Sequence, residues 1–155
     1  MSATPIRGLL FDKDGTLFDF AASWSGVIDA TLAALSADTD VQHRMARASG
    51  YDPETKEFEA GSPSVAGTLD EVAAIWARHL PDGRPERVIA VAAQIEAGSS
   101  GNGNLVPAVR NLAGFLGGLK QRGYMLGIAT HDSEAAARAH MAAHNSISHF
   151  DFVAG

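Results

Sequence analysis

The chain has 155 residues, a formal net charge of −6 and no cysteine. That length holds one moderate core, or a small core carrying an inserted subdomain. The negative charge argues against a nucleic-acid partner, which would ask for a basic face, and the lack of cysteine excludes a disulfide, a thiolate metal site and a thiol nucleophile.

With 46% hydrophobic and 19% charged residues the composition is that of a folded globular protein. Its chemistry must therefore come from carboxylates, histidines, hydroxyls and backbone groups. The opening "MSATPIRGLLFDKDG" meets acidic residues too early for the apolar segment of a signal peptide, and no run approaches the ~18 apolar residues of a membrane span. These features read as a cytoplasmic chain with no membrane partner.

Residues 6–11 form a nearly continuous apolar run between Pro5 and "DKDG", the pattern of a parallel strand buried on both faces. Helical spacing follows over 23–35 and again in "DVQHRMARASG", "SVAGTLDEVAAIWARHL" and "RPERVIAVAAQIEAG", about four helices in all. "GSSGNGN", residues 98–104, reads as a linker. Beyond it, "LVPAVRNLAGFLGGLKQRG" predicts a helix ending near Gly123 and "YMLGIAT" a second buried strand. "HDSEAAARAHMAAHN" predicts a helix that Thr130, Asp132 or Ser133 could cap, and "HFDFVAG" a third strand. The order predicts an α/β fold with a parallel, Rossmann-like sheet. Residues 1–18 and 105–155 form its core, and 19–104 an inserted α-helical cap with linkers.

Residues two apart in an extended chain share a side, so Asp12 and Asp14 can converge at the carboxyl end of the first strand while Lys13 points away. Open α/β sheets bind ligands at that end. Two carboxylates so close repel unless a cation or a shared proton intervenes, which points to a hard divalent ion such as Mg²⁺ on Asp12 and Asp14. One carboxylate could then attack phosphorus while the other handles the leaving-group proton. Gly15 lets backbone N–H groups approach a phosphate.

"FDKDGTLFD" resembles the first motif of the haloacid dehalogenase superfamily of phosphatases, a strand followed by D-x-D-G-T. The resemblance implies Asp12 as nucleophile and Mg²⁺ ligand and Asp14 as general acid/base, with its backbone carbonyl also on the metal. The related P-type ATPases carry D-K-T-G-T, so an acid at Asp14 favours a phosphatase over a long-lived phosphoenzyme. Thr130, ending "YMLGIAT", stands where the superfamily holds the phosphate with a hydroxyl, beside His131 and just before a helix N-terminus; a helix cap is its other reading. The insertion resembles the helical cap of the phosphoglycolate phosphatase-like branch, which implies a small phosphomonoester as substrate. In that cap His43, Arg44 and Arg47 could meet an anionic group, although helix-surface charges are usually only solvated. Trp24 and Trp76 read as cap core. His140 and His144, four apart, could share a metal, but no H-E-x-x-H pattern accompanies them.

Two further parts of the superfamily's site, a charge-stabilising lysine and a later acidic metal ligand, have no counterpart here, and the resemblance places both beyond the third strand. Lys120 precedes Thr130 and does not fill the first role. Three explanations stand open: a shortened chain, a piece of a longer protein, or another copy that completes the sheet as a homo-oligomer. Without further strands the first strand is an edge, and an apolar edge invites association. Rival expectations are a catalytically incomplete fragment acting as an interaction or regulatory module, a receiver-type phospho-acceptor, and, last, dehalogenase chemistry.

Overall fold

A computed structural model describes residues 6–100 and 105–155. In chain order it contains β1 (Gly8–Phe11), β2 (Phe18–Asp19), α1 (Phe20–Leu35), α2 (Thr39–Ala48), α3 (Pro63–Ala66), α4 (Leu69–Ala77), α5 (Pro85–Ser100), β3 (Val106–Pro107), α6 (Leu112–Gln121), β4 (Met125–Ala129), α7 (Glu134–Ala143) and β5 (Phe152–Ala154). Among the described residues no helix is long and apolar enough to cross a membrane. The chain divides into two compact units. One takes the described residues to Phe20 and from Leu105 on, and the other begins at Ala21 and runs through α5.

The first unit is built on a parallel sheet in the order β1-β4-β5. Leu9 pairs with Leu126, Phe11 with Ile128, and Ile128 with Val153. Because side chains alternate along a strand, these five share one face. On it Leu126, Ile128 and Val153 are buried against Leu112 and Leu116 of α6 and Ala137 and Met141 of α7. The other face carries Leu10, Met125 and Phe152, which are 66%, 60% and 57% exposed. The expectation of a first strand buried on both faces is thus corrected: both helices lie on one side. Gly127 sits at the middle of the open face, where a Cβ would come within 2.9 Å of Leu10 Cδ1 and 3.4 Å of Phe152 Cδ1. Its missing side chain lets those two flanking groups close over the central strand.

Two expected boundaries shift for physical reasons. Residues 105–111 are not the start of a helix, because Val106–Pro107 pairs antiparallel with Phe18–Asp19. The helix begins only after Asn111, whose Oδ1 accepts from Gly114 N at 2.9 Å. Residues 98–100 continue α5 rather than forming a linker, and the remainder of that predicted linker, 101–104, lies outside the described residues.

The second unit is helical. Leu32 and Leu35 of α1, Met45 and Ala46 of α2, and Ala73, Trp76 and Ala77 of α4 share a core with Tyr51, Leu80 and Val88. The single helix expected over 64–80 is two, since Gly67 turns extended and Thr68 opens a new helix through a reciprocal capping box with Glu71. Trp76 is 3% exposed, as expected of core, while Trp24 is partly buried. His43, Arg44 and Arg47 line a surface hollow of about 410 Å³ with Asp40 and His79, and Arg47 pairs with Glu54 at 3.1 Å.

Candidate active site

The parallel pairing of β1 with β4 brings two short loops to one end of the sheet. Asp12 follows the last residue of β1, and Thr130 follows the last residue of β4. With Phe11 opposite Ile128, both stand at the carboxyl end of neighbouring strands. Open parallel sheets bind ligands there because the chain leaves each strand with its side chains and amides unclaimed by the ladder.

After Phe11 the chain stops being a strand. Leu17 N and Phe18 N both donate to Lys13 O, at 2.9 and 3.1 Å, and Gly15 N donates to Phe18 O at 2.8 Å. Gly15 has a φ of 76°, a left-handed conformation that suits glycine. Its own N–H is thus committed within the turn, so Gly15 serves the loop through its backbone conformation. Asp12 is exposed, and its Oδ1 accepts from Lys13 N at 2.8 Å.

The turn also corrects the expected direction of Lys13. Alternation holds only while the chain is extended, and the bend sends the Lys13 side chain inward, where it is 0% exposed. Its Nζ lies 2.6 Å from Asp14 Oδ2, 3.0 Å from Asp132 Oδ2 and 5.7 Å from the centre of the Phe18 ring. The lysine therefore joins the β1 loop to the β4 loop.

On the β4 side, Thr130 N donates to Ala154 O at 3.2 Å, and Thr130 Oγ1 accepts from Asp132 N at 3.3 Å. That bond leaves the hydroxyl proton of Thr130 available for donation. Ser133, not Thr130 or Asp132, caps α7, accepting from Ala136 N at 3.2 Å. His131 is exposed. Burial pushes the Asp132 carboxyl up, but His140 and Lys13 outweigh it and hold it below the usual carboxylate value. His140 is 4% exposed, with Nδ1 3.6 Å from Asp132 Oδ2. His144 packs against the Phe18 ring at 5.0 Å, and burial with the neighbouring His140 pushes its pKa down. These two histidines line the core beneath the loops, and among the described residues no group of three or more His, Asp or Glu could hold a metal ion. Lys120 lies at the other end of the sheet, tied to Asp151 just ahead of β5.

Asp132, His140 and the inward Lys13 form a group that no motif in the sequence marks. The available signal was spacing: Asp132 follows Thr130 by two, and His140 lies two helical turns further along. Asp12 and Asp14 offer the hard oxygen donors that Mg²⁺ takes. The Asp14 carboxylate is engaged by Lys13, and because Mg²⁺ often binds through only one or two carboxylates plus water and phosphate oxygens, the exposed Asp12 carboxylate with the Asp14 backbone carbonyl fits it.

No curated protein matches the chain. Solved structures share its fold, among them three of provisionally named proteins. One from Clostridium difficile, described as a phosphatase, has 17% identity and a TM-score of 0.69 over 99% of this chain and 62% of its own. A haloacid dehalogenase-like hydrolase from Bacteroides fragilis has 16% identity and a TM-score of 0.66 over 97% and 63%. The HAD-hydrolase YfnB of Bacillus subtilis, described as bound to magnesium, has 18% identity and a TM-score of 0.56 over 97% and 65%. The chain thus spans under two thirds of the length of each. The sequence profile of the haloacid dehalogenase-like hydrolases matches residues 6–155. With the D-x-D-G-T loop closing β1 and Thr130 closing the adjacent strand of a parallel sheet, the chain belongs to the haloacid dehalogenase-like hydrolase family.

Proposed function

We propose that the protein is a Mg²⁺-dependent phosphatase that hydrolyses a small, phosphoglycolate-like phosphomonoester through an aspartyl-phosphate. One observation carries this: Asp12 and Thr130 end adjacent parallel strands, and a buried lysine ties Asp14 to the Thr130 loop.

Thr130 would donate its hydroxyl hydrogen to a phosphate oxygen, with His131 and the turn at Gly15 beside it. An Asp12 oxygen forms the new bond to phosphorus as the ester P–O bond breaks, and Asp14 delivers its proton to the departing oxygen. Asp14 then takes a proton from the water that cleaves the acyl-phosphate, which frees inorganic phosphate and restores both carboxyl groups. The Asp12 carboxylate and the Asp14 backbone carbonyl would hold Mg²⁺, which when bound supplies charge neutralisation to the phosphate. Residues 19–104 would act as a cap that excludes water from a small substrate. The zero cysteine count suits a cytoplasmic setting.

A second reading, a non-catalytic interaction module, is favoured by the open apolar face at Leu10, Met125 and Phe152. On either reading a second copy of the chain is the partner proposed for that sheet. Receiver-type phospho-acceptance would not need Asp14 for turnover, and dehalogenation would not need Mg²⁺.

The test is hydrolysis of an aryl phosphate by the purified chain, with and without Mg²⁺, beside Asp12→Asn. Mg²⁺-dependent turnover that vanishes in Asp12→Asn supports the phosphatase. A folded chain with no turnover in either condition refutes it in favour of the interaction module.

A further inference from the structure

We infer that Lys13 is a positioning residue: its buried ammonium, braced by Asp132 with His140 behind, fixes the Asp14 carboxylate for proton transfer. This rests on the phosphatase reading and adds residues that reading does not use.

The ion pairs are hard to explain by stability alone. Desolvating an ammonium is expensive, and replacing buried ion pairs by apolar side chains of similar volume is often neutral or stabilising. Yet Lys13 is 0% exposed and lies within 3.0 Å of two carboxylates. Geometry supplies a reason. Asp14 sits past the end of β1, between the bend at Lys13 and the left-handed Gly15, where a single bridge to Phe18 holds its backbone and the side chain takes its direction from the contacts it makes. Fixing its Oδ2 on the ammonium aims the other oxygen.

The brace is itself anchored. Asp132 is placed by its own N–H on Thr130 Oγ1, and the next residue, Ser133, caps α7. His140, from the same helix, faces Asp132 Oδ2 at 3.6 Å. Thus the ammonium links the acid/base loop to the phosphate-binding loop, the two parts that must hold a fixed separation in the reaction. Because Lys13 is fully buried it acts through Asp14, not on the substrate.

The experiment is steady-state hydrolysis of an aryl phosphate with Mg²⁺ by the full chain, with folded fraction followed by circular dichroism. Lys13→Met keeps a stem of similar length without charge. Asp132→Asn keeps both shape and the backbone N–H on Thr130, and carries the test where Lys13→Met does not fold. Each is expected to lower kcat by about 10- to 100-fold with KM changed by less than about threefold. The double variant should be no slower than Lys13→Met, since both remove one brace. Arg138→Gln, on the exposed side of α7, should match the wild type. A folded Asp132→Asn with wild-type kcat, or a loss lying in KM alone, overturns the inference while leaving the phosphatase intact. A wild-type chain with no Mg²⁺-dependent turnover overturns both.

Discussion

The ammonium of Lys120 lies 2.8 and 2.7 Å from the two carboxylate oxygens of Asp151, and Leu126 N donates to one of them at 2.8 Å. This cluster pins the turn before β5 to the start of β4, at the end of the sheet away from Asp12. Lys120 and the Leu126 amide hold the Asp151 carboxyl below its ordinary value of 3.8. A carboxyl depressed in the folded state binds its proton less readily there than in the unfolded chain. Its contribution is therefore complete above the ordinary value and is lost as pH falls through the folded one. Asp151→Asn should be less stable than wild type at neutral pH, with the gap closing below about pH 4. Urea titrations at a series of fixed pH values would show it, and a gap that persists to low pH would reject the ionic origin.

Ser49 is the buried hub of the second unit. Its Oγ accepts from Trp76 Nε1 and from Ser64 Oγ, each at 2.9 Å, and donates to Ala46 O at 3.0 Å. Ser49→Ala would leave the indole N–H without its acceptor in a core site. An unsatisfied buried donor costs about 1–3 kcal/mol, so the unfolding free energy from urea titration should drop by that amount, with the midpoint lowered and the slope unchanged. A drop under about 0.5 kcal/mol, within the range of ordinary surface substitutions, would mean that Trp76 finds another acceptor.

Much of the first unit was legible because its signals are local. The runs before Asp12 and Thr130 and after His149 are apolar, short and bounded by acid, glycine or histidine, and each became a parallel strand. The pairing of Phe18–Asp19 with Val106–Pro107 was not legible, since two-residue strands carry no period and the partners lie far apart in sequence. The break at Gly67 and Thr68 and the late start of α6 do carry local signs: "TLDE" has the capping-box spacing, and Asn111 stands three before Gly114. Lys13 differs for another reason: alternation ends with the strand, at Phe11, and no local rule shows that Asp132, over a hundred residues on, draws the ammonium inward.

The open sheet face makes its own prediction. Leu10 and Phe152 flank Gly127 in one cross-strand row, and both are more than half exposed. Exposed apolar side chains in a row favour association. Light scattering should show apparent mass rising with concentration for the wild-type chain. Leu10→Lys with Phe152→Lys should remove that rise without loss of helix signal. A wild-type chain that stays monomeric at high concentration would end the proposal of a second copy on this face.

Asp14 separates the two halves of the proposed reaction. Its proton helps the ester oxygen leave, and its carboxylate then activates water against the acyl-phosphate. An aryl phosphate has a good leaving group that needs little protonation, so Asp14→Asn should slow the second half more than the first. Turnover should fall by about 10²-fold, and label from a ³²P-substrate should accumulate on the protein at a level that Asp12→Asn abolishes. Acid quench and gel autoradiography would read this directly. If Asp14→Asn turned over at the wild-type rate, Asp14 would not be the acid/base. If it fell without any label on the chain, either the first half would depend on Asp14 as well, or the phosphoryl group would pass directly to water.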